Sequence, residues 1–381
     1  MLVVCAVNGY GGPVKSIVSV LRHLDGGVTA IAATQREVVA ANRPAGSAGP
    51  SPLEAVADQL IDLPLPRGIG LVRAQFDLVR RWRKLRREVD VIHANGLTEA
   101  VMVAPLAAVS RLPVVVWVHN YEVPKAFRVL RPLIALTGHW TWMAVSEYSR
   151  SLLPASWAIS VVPNPIELPP RSQREVRQPP LRVVYLAGTD HPVKGFDLLP
   201  EIIRSVPAAD AEFVVVASES RRSRHPRSVA AWAELRGPLA ARVTLRSFVD
   251  DVGEIYARAD AVLTPSRQES FNRVLAESLA YGVPVVASDI AAHREHFDDG
   301  AVGCLFRTDD AGDAARSLRE LIADAADRTR CGERGRERAA GFDAAGVAKR
   351  LLAEWTRTRR GIRRPDDVLL NPGLRSADDI P

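Results

Sequence analysis

Short runs of β-branched and other apolar residues alternate with longer helical patterns along most of the chain. The first half contains LVVCAV, VDVIHAN, PVVVWVH and ISVVPN, and the pattern restarts with LRVVYLAG, EFVVVAS, AVLTPS and PVVAS. Strands that alternate with helices in this way form parallel sheets with helices on both faces. The sequence therefore predicts an α/β protein with two doubly wound, Rossmann-like domains that face a cleft.

A polar, proline-rich segment, PIELPPRSQREVRQPP, separates the two series and can continue neither a strand nor a helix. We place the first domain at residues 1–165, the linker at 166–180 and the second domain at 181–342. A helix at 343–364 could pack back on the first domain. The last residues, 365–381, have little apolar content and we expect a disordered tail.

Size and composition agree with two domains and limit the cellular location and the partners that can be expected. At 381 residues the chain exceeds what one hydrophobic core usually supports. Its three cysteines are far apart and match no zinc or disulfide pattern, which favours a reducing, cytoplasmic location. No apolar segment reaches the roughly 20 residues of a membrane-spanning helix. The net charge of +6 permits attraction to phosphate groups, anionic lipid or nucleic acid and selects none of them.

Three strand ends carry residues suited to an anionic ligand. Gly11 and Gly12 precede a helix, where a backbone without side chains can approach a phosphate closely. Lys194 ends the turn GTDHPVKG and provides a point charge suited to a diphosphate. His119 ends the strand PVVVWVH and could serve as a hydrogen-bond partner or an acid/base. Taken singly, each also fits an ordinary turn or a structural side chain.

The segment SRQESFNRVLAE is the most informative. Glu269 lies in the turn after AVLTPS, and Glu277 lies in the following helix, about two turns further along at roughly 3.6 residues per turn. Between them the helix N-terminus offers the N–H groups of Phe271, Asn272 and Arg273. Such a segment can hold a phosphate between two carboxylates that accept hydrogen bonds from sugar hydroxyls.

These motifs resemble the retaining glycosyltransferases of the GT-B fold, specifically glycosyltransferase family 4. The ordered series runs from GYGGPVKS through VIHAN, VHN, MAVSEYSR, SVVPNP and VKG to ESFNRVLAE and GVPVVASD. The resemblance implies transfer of a sugar from a UDP- or GDP-sugar to a glycan, glycolipid or small-molecule hydroxyl. It implies retention of anomeric configuration, no metal and no cofactor, with the leaving phosphate helping to deprotonate the acceptor.

The resemblance also implies roles for single residues of the second domain. Glu269 contacts hydroxyls of the donor sugar, and Glu277 binds the ribose. Lys194 contacts the donor diphosphate together with the N–H groups around Phe271 and Asn272.

Further roles follow for the first domain. His119 lies beside the reacting sugar, and the turn with Gly11 and Gly12 approaches the phosphate. Arg273 is grouped with the donor-binding residues without a role of its own. Thr189 stands where the family usually carries arginine, so one diphosphate contact is missing or supplied elsewhere.

A second departure is Asn272, which stands where the family often has glycine. Both departures leave the donor nucleotide and its orientation open. The acceptor and the oligomeric state are also not predicted by the sequence.

Apolar residues recur at helical spacing from Leu71 to Arg87 while arginines fill the other positions. The pattern indicates a helix with a solvated outer face. An alternative is peripheral docking on the anionic inner face of the plasma membrane, which would suit a lipid-linked acceptor.

Two other function classes stay open. A nucleotide-sugar epimerase on a GT-B-like fold would change a donor without any acceptor. A non-catalytic nucleotide-sugar-binding or accessory protein would tolerate loss of Glu269 or Lys194. Nucleic acid is not an expected partner, because neither a groove-reading helix nor an aromatic stacking platform is evident.

Overall fold

The computed structural model describes residues 2–4, 11–24, 28–34, 51–63, 69–85, 89–136, 139–171, 177–219, 225–246, 249, 251–297 and 302–360. The predicted tail at 365–381 and the first part of the GYGG turn lie outside the described residues.

The first half of the molecule is built on a parallel sheet of seven strands in the order β3-β2-β1-β4-β5-β6-β7. The strands are Leu2–Val4 (β1), Ile31–Thr34 (β2), Gln59–Asp62 (β3), Ile92–Ala94 (β4), Val114–Val118 (β5), Trp140–Ala144 (β6) and Ile159–Val161 (β7). Its helices are Gly12–Arg22 (α1), Ile69–Leu85 (α2), Leu97–Ser110 (α3), Lys125–Leu136 (α4) and Glu147–Ser151 (α5).

The second half is built on a parallel sheet of six strands in the order β10-β9-β8-β11-β12-β13. The strands are Leu181–Leu186 (β8), Ala211–Val216 (β9), Val243–Arg246 (β10), Ala261–Thr264 (β11), Val285–Ser288 (β12) and Gly303–Phe306 (β13). The helices are Leu199–Ser205 (α6), Pro226–Arg236 (α7), Val252–Arg258 (α8), Arg273–Ala280 (α9), Ala291–Phe297 (α10), Ala311–Ala323 (α11), Ala325–Ala339 (α12) and Ala344–Arg360 (α13). Short 3₁₀ turns lie at Pro192–Lys194, Phe196–Leu198, Ala240–Arg242 and Ala340–Phe342.

The predicted fold class is confirmed by these two parallel sheets. Every residue of β5 is buried, as are those of β11 and β12, which is what a central strand covered by helices on both faces requires. The sequence patterns did not predict β2 and β3, because IAAT and QLID are short and lack a β-branched run. β3 is the edge strand of the first sheet and has one buried residue, whereas β2 lies inside the sheet and all of its residues are buried.

The last described helix, α13, packs against α1 and β5 of the first half. The indole N–H of Trp355 donates to His93 Nδ1 at 3.2 Å, and the hydroxyls of Thr141 and Thr358 lie 2.9 Å apart. The chain therefore crosses back to the first sheet after completing the second.

One buried apolar cluster contains residues of both halves. Val14 and Ile17 from α1 belong to it, together with Phe271 and Leu275 from the second half and Trp355 from α13. Because apolar burial is the main favourable term in folding, this shared cluster holds the two halves against each other. Among the described helices, none has the length and apolar content needed to span a bilayer.

Candidate functional site

The residues predicted to bind a donor lie at the carboxyl ends of β8 and β11, in the turns that lead into helices. Lys194 Nζ donates to both carboxylate oxygens of Glu269, at 2.8 Å each. Ser266 Oγ donates to Glu269 Oε1 at 2.9 Å. Glu269 is buried, whereas about a third of the Lys194 side chain is exposed. The two turns therefore present a fixed carboxylate and a cation that solvent or a ligand can reach.

Glu277 has a different set of partners. Arg273 Nη2 lies 3.1 Å from Glu277 Oε1, one turn earlier on the same helix. The hydroxyl of Tyr256 donates to Glu277 Oε2 at 3.0 Å. Tyr256 is fully buried, and burial together with the Glu277 charge raises the pKa of its hydroxyl well above the ordinary value. The phenol therefore stays protonated and acts as a donor to Glu277.

Arg273 also connects the two halves of the molecule. Its Nη1 donates to Ser16 Oγ at 3.2 Å and to the Pro165 carbonyl at 2.7 Å. Its Nε is buried and has no hydrogen-bond partner among the described residues. A side-chain carbon added to Gly12 would lie 3.6 Å from Arg273 Cδ, so the guanidinium stem passes directly over the glycine turn.

Asn272 is the N-cap residue of helix α9, and its conformation explains one departure from the family pattern. Its φ of 64° lies in the left-handed region, where asparagine is the residue that best replaces glycine. The side-chain oxygen accepts from the Leu275 N–H at 3.2 Å and caps the helix. The side-chain nitrogen lies 2.8 Å from both Thr264 Oγ1 and His293 Nε2. The amide therefore points into the protein, and the backbone keeps the conformation that glycine would adopt.

His293 accepts this hydrogen bond because of its tautomer. Its Nδ1 lies 2.8 Å from the Ser288 carbonyl, which only an N–H can satisfy, so Nε2 carries the lone pair that faces Asn272. Burial lowers the pKa of His293 and keeps the ring neutral.

His119 lies at the end of β5, where the sequence predicted it, and is 8% exposed. Its ring packs edge-on against Trp117 with centroids 4.5 Å apart. Burial, followed by the charges of His93 and Arg273, lowers the pKa of His119 to about 3. Its Nε2 is buried and unpartnered among the residues that the structure describes. The ring is therefore a neutral hydrogen-bonding group, and it lies close enough to Arg273 for the guanidinium charge to lower its pKa.

The side chain of Phe271 belongs to the core. Its ring packs edge-on against His296 and Phe342, at centroid distances of 4.7 and 5.2 Å. His296 Nε2 lies 2.5 Å from the Phe271 carbonyl, and burial lowers the pKa of His296 to about 3. Only the main-chain N–H of Phe271 is left to serve the predicted site.

Direct hydrogen bonds join the two halves beside this segment. Ser146 Oγ donates to the Ser270 carbonyl at 2.5 Å. The carboxylate of Glu295 accepts from the N–H groups of Glu147 and Tyr148 at 2.9 and 2.6 Å. The loop that carries Glu269 is thus held from both halves.

The other predicted positions are also accounted for. Gly11 precedes α1 in an extended conformation and Gly12 is its first residue, so the glycine turn opens onto a helix N-terminus. Thr189 Oγ1 accepts from the His191 N–H at 3.2 Å, which leaves no cation at that position. No group of three or more His, Cys, Asp or Glu residues that could hold a metal ion occurs in the described part of the chain.

Comparison with known proteins gives relatives in sequence and in fold. A family model described as glycosyl transferases group 1 matches residues 180–324. The phosphatidyl-myo-inositol mannosyltransferase of Mycobacterium leprae is 26% identical over 316 residues, covering 76% of this chain and 80% of the relative. The D-inositol 3-phosphate glycosyltransferase of Nocardia farcinica is 31% identical over 181 residues, covering 46% of this chain and 40% of the relative.

Residues 180–324 thus match the group 1 glycosyl transferases, in agreement with the resemblance seen in the sequence motifs. The match with the Nocardia protein spans less than half of that protein's own length, at 40%. The structure of Anabaena Alr3699/HepE in complex with UDP and glucose matches this chain with a TM-score of 0.74 at 18% identity. That match covers 93% of this chain and 98% of the Anabaena chain, and it confirms the predicted GT-B arrangement.

Several hydrogen-bond partners of the predicted site residues were not singled out from the sequence. Tyr256 and Ser16 hydrogen-bond Glu277 and Arg273 from outside the two-glutamate segment (residues 266–277). Ser266 was within that segment but was not singled out. Its spacing of three residues before Glu269, in the turn after a strand, was a usable signal. Ser16 ends the quoted motif GYGGPVKS but was not singled out, and no comparable local signal marks Tyr256.

Proposed function

We propose that this chain transfers a sugar from a UDP- or GDP-sugar to an acceptor hydroxyl, with retention of anomeric configuration and without a metal ion. The observation that carries the proposal is the pairing of Lys194 with Glu269 beside the N-terminus of α9. It places a cation, a carboxylate and a helix dipole at the carboxyl end of a parallel sheet, where open α/β folds bind nucleotides.

Departure of the diphosphate is the step that needs most stabilisation. Lys194 is partly exposed, and its ammonium has three N–H donors, so it can donate to a phosphate while it stays beside Glu269. The N-terminus of α9 adds main-chain N–H groups, and Gly12 allows the start of α1 to approach from the other half. We propose that these groups, with Arg273, take the part that a divalent cation plays elsewhere.

Recognition of the sugar and ribose falls to the two carboxylates. A carboxylate offers about four lone-pair positions, so Glu269 can keep its bonds to Lys194 and Ser266 while it accepts from sugar hydroxyls. Glu277 likewise keeps capacity for ribose hydroxyls beside Tyr256 and Arg273.

His119 can bind the sugar but cannot supply a positive charge. Its pKa of about 3 keeps the imidazole neutral at physiological pH. We propose that the unpartnered Nε2 of His119 hydrogen-bonds a hydroxyl of the donor sugar. We propose that the leaving phosphate takes the proton of the acceptor hydroxyl as the new glycosidic bond forms on the same face.

For the acceptor we propose a molecule that carries an inositol phosphate. Two relatives are named for inositol-containing acceptors, a D-inositol 3-phosphate and a phosphatidyl-myo-inositol. This choice narrows the glycan, glycolipid and small-molecule classes that the sequence left open.

A lipid-linked acceptor would suit the exposed face of α2. Val72 and Phe76 are 63% and 66% exposed and lie one turn apart, and Arg73 and Arg80 are exposed on the same helix. We propose that this face docks on anionic lipid at the cytoplasmic surface of the membrane, with each arginine contributing about 1 kcal/mol.

The donor proposal is tested by thermal shifts with UDP, GDP, ADP and their sugar conjugates. A ligand at 100 times its dissociation constant should stabilise the protein by about 2.7 kcal/mol. We expect one nucleotide series to stabilise the wild type and to stabilise Lys194→Ala and Glu277→Ala much less. If no nucleotide series stabilises the wild type, the proposed donor site is wrong.

The reaction itself is tested with the donor so identified, with and without inositol 3-phosphate or phosphatidylinositol. Transfer that needs the acceptor and survives a chelator supports the proposal. A changed sugar in the absence of any acceptor would instead indicate an epimerase, and donor binding without turnover would indicate an accessory protein.

Membrane docking is tested by sedimentation with anionic and neutral vesicles at low salt. Phe76→Ser should weaken retention on anionic vesicles, whereas Val229→Ser, a 49% exposed valine of the second half, should not. Equal retention of both variants would remove α2 from the proposal.

A further inference from the structure

Lys194 lies on a segment too short to fix its own shape. Pro192–Lys194 is a single 3₁₀ turn, and Gly195 follows in the left-handed conformation with a φ of 69°. A turn of this length closes very few internal hydrogen bonds. The place of the Lys194 ammonium must therefore be set by contacts from elsewhere in the chain.

Arg267, in the two-glutamate segment, supplies such contacts on both sides of Lys194. Its main-chain N–H donates to the Val193 carbonyl at 2.8 Å, and its Nη1 donates to the Pro192 carbonyl. The guanidinium also makes a two-pronged contact with Asp197, at 2.7 and 3.0 Å. One residue thus holds the chain just before and just after the predicted phosphate ligand.

The two loops also meet directly at Gly195. A side-chain carbon on Gly195 would lie 2.1 Å from the Pro265 carbonyl oxygen, so the loops touch through main chain alone. A larger residue at position 195 would push the two loops apart and move Lys194 away from Glu269. Close approach at Gly195 and the Arg267 contacts therefore fix the same spacing.

The Arg267 contact is sheltered, unlike most ion pairs of the molecule. The side chains of Arg267 and Asp197 are 19% and 7% exposed. Arg267 also pairs with a second acid, Asp309. By contrast Arg316, which likewise bridges two acids, Asp313 and Glu320, is 52% exposed. A planar guanidinium that faces a sheltered carboxylate with two parallel bonds gives a rigid geometry that lysine cannot reproduce.

We propose that Arg267 is a positioning residue, which locks the Pro192–Lys194 turn against the two-glutamate segment and so sets the ammonium of Lys194 opposite the Glu269 carboxylate. The inference rests on the proposed function, in which Lys194 binds the donor diphosphate. Arg267 acts through the main chain at Pro192 and Val193 and through Asp197, and the phosphate contact itself belongs to Lys194.

The test is a double-mutant cycle read by calorimetric titration with UDP and GDP. Arg267→Ala should weaken nucleotide binding about tenfold in the wild-type background, since a charged hydrogen-bonded pair is lost. In the Lys194→Ala background the same change should cost less than about twofold, because the residue it positions is gone. Arg267→Lys should lie in between, and Arg316→Ala should bind as the wild type does.

A second readout needs no ligand. Hydrogen–deuterium exchange of residues 192–197 should be faster in Arg267→Ala and Arg267→Lys and unchanged in Arg316→Ala. If Arg267→Ala does not fold, the lysine variant carries both measurements.

The outcomes separate the inference from the proposed function. Equal weakening in both backgrounds, or unchanged binding and exchange in Arg267→Ala, overturns the positioning role. Nucleotide binding that Lys194→Ala leaves intact overturns the donor role of Lys194 instead. In that case faster exchange of residues 192–197 in Arg267→Ala still supports the positioning role of Arg267. Unchanged exchange overturns that role as well.

Discussion

The two glutamates of the segment 266–277 are held in different ways. Glu269 receives its hydrogen bonds from Lys194 and Ser266, both in the second half of the molecule. Glu277 receives one from Arg273, whose guanidinium also reaches Ser16 and the Pro165 carbonyl. Both pairs lie in the second half, but only the second includes a residue, Arg273, whose side chain also contacts the first half.

This difference separates a binding function from a coupling function. A ligand at Lys194 and Glu269 meets two side chains of the second half that hydrogen-bond each other, on a loop that Ser146 of the first half also contacts. A ligand at Glu277 shares the carboxylate with Arg273, whose guanidinium also contacts the first half. We infer that the Lys194–Glu269 pair mainly sets nucleotide affinity. The Arg273–Glu277 pair couples ribose binding to the contacts between the two halves.

The largest effect is expected from Lys194→Ala. The variant removes the cation of the proposed phosphate site and leaves the Glu269 carboxylate with Ser266 alone, so kcat/KM for the donor should fall about 100-fold or more. Steady-state kinetics measure it, with Lys349→Ala, an exposed lysine of α13, as the matched control. Near-normal kcat/KM in Lys194→Ala would contradict a dominant first pair.

A smaller effect, about tenfold in kcat/KM, is expected from Arg273→Ala, since charged hydrogen bonds to Glu277 and to the first half are lost together. Unlike Lys194→Ala, it should also speed hydrogen–deuterium exchange around Pro165. Exchange that stays at the wild-type rate would show that Arg273 does not couple the halves.

Combining the two variants sharpens the comparison. If the pairs act independently, the losses in activation free energy of Lys194→Ala and Arg273→Ala should add to within about 0.5 kcal/mol. A double variant much less impaired than the sum would mean that both pairs serve one step.

Two buried tyrosines offer a matched test in which the expected loss of donor binding is smaller. Tyr256 donates to the Glu277 carboxylate at 3.0 Å, whereas Tyr185 donates to the neutral Lys194 carbonyl at 3.3 Å. Hydrogen bonds to charged acceptors are the stronger ones, so Tyr256→Phe should cost about tenfold in donor KM and Tyr185→Phe about threefold or less. The reverse order in a kinetic comparison would place the sensitive contact on the Lys194 side.

Several of these partners could not be predicted from the sequence, and the reason is physical. The alternation of strands and helices and the order of motifs predicted two parallel sheets, because each signal is local. Lys194 and Glu269 were identified separately, as residues in turns after strands. Their direct pairing depends on how β8 and β11 lie side by side in the sheet, which no local pattern encodes.

The contacts of Arg273 were even harder to predict from the sequence. They depend on how the two halves pack, and that packing is set by a shared apolar cluster and by the return of α13 to the first sheet. Tyr256, from helix α8, is an ordinary amphipathic residue until the fold places its hydroxyl on Glu277. A residue recruited through tertiary packing leaves no spacing or motif to recognise.

The smallest effect on donor binding is expected at Asn272, which lies between the two glutamates and points its amide away from both. Asn272→Gly and Asn272→Ala lose the same bonds to Thr264 and His293, but only alanine is strained at a φ of 64°. Chemical denaturation should therefore show alanine about 1 kcal/mol less stable than glycine. Nucleotide affinity of the glycine variant should stay within about twofold of wild type, because the backbone that faces the ligand is unchanged. An affinity loss in Asn272→Gly as large as in Arg273→Ala would mean that the side chain of Asn272 helps to hold the Glu277 side of the site.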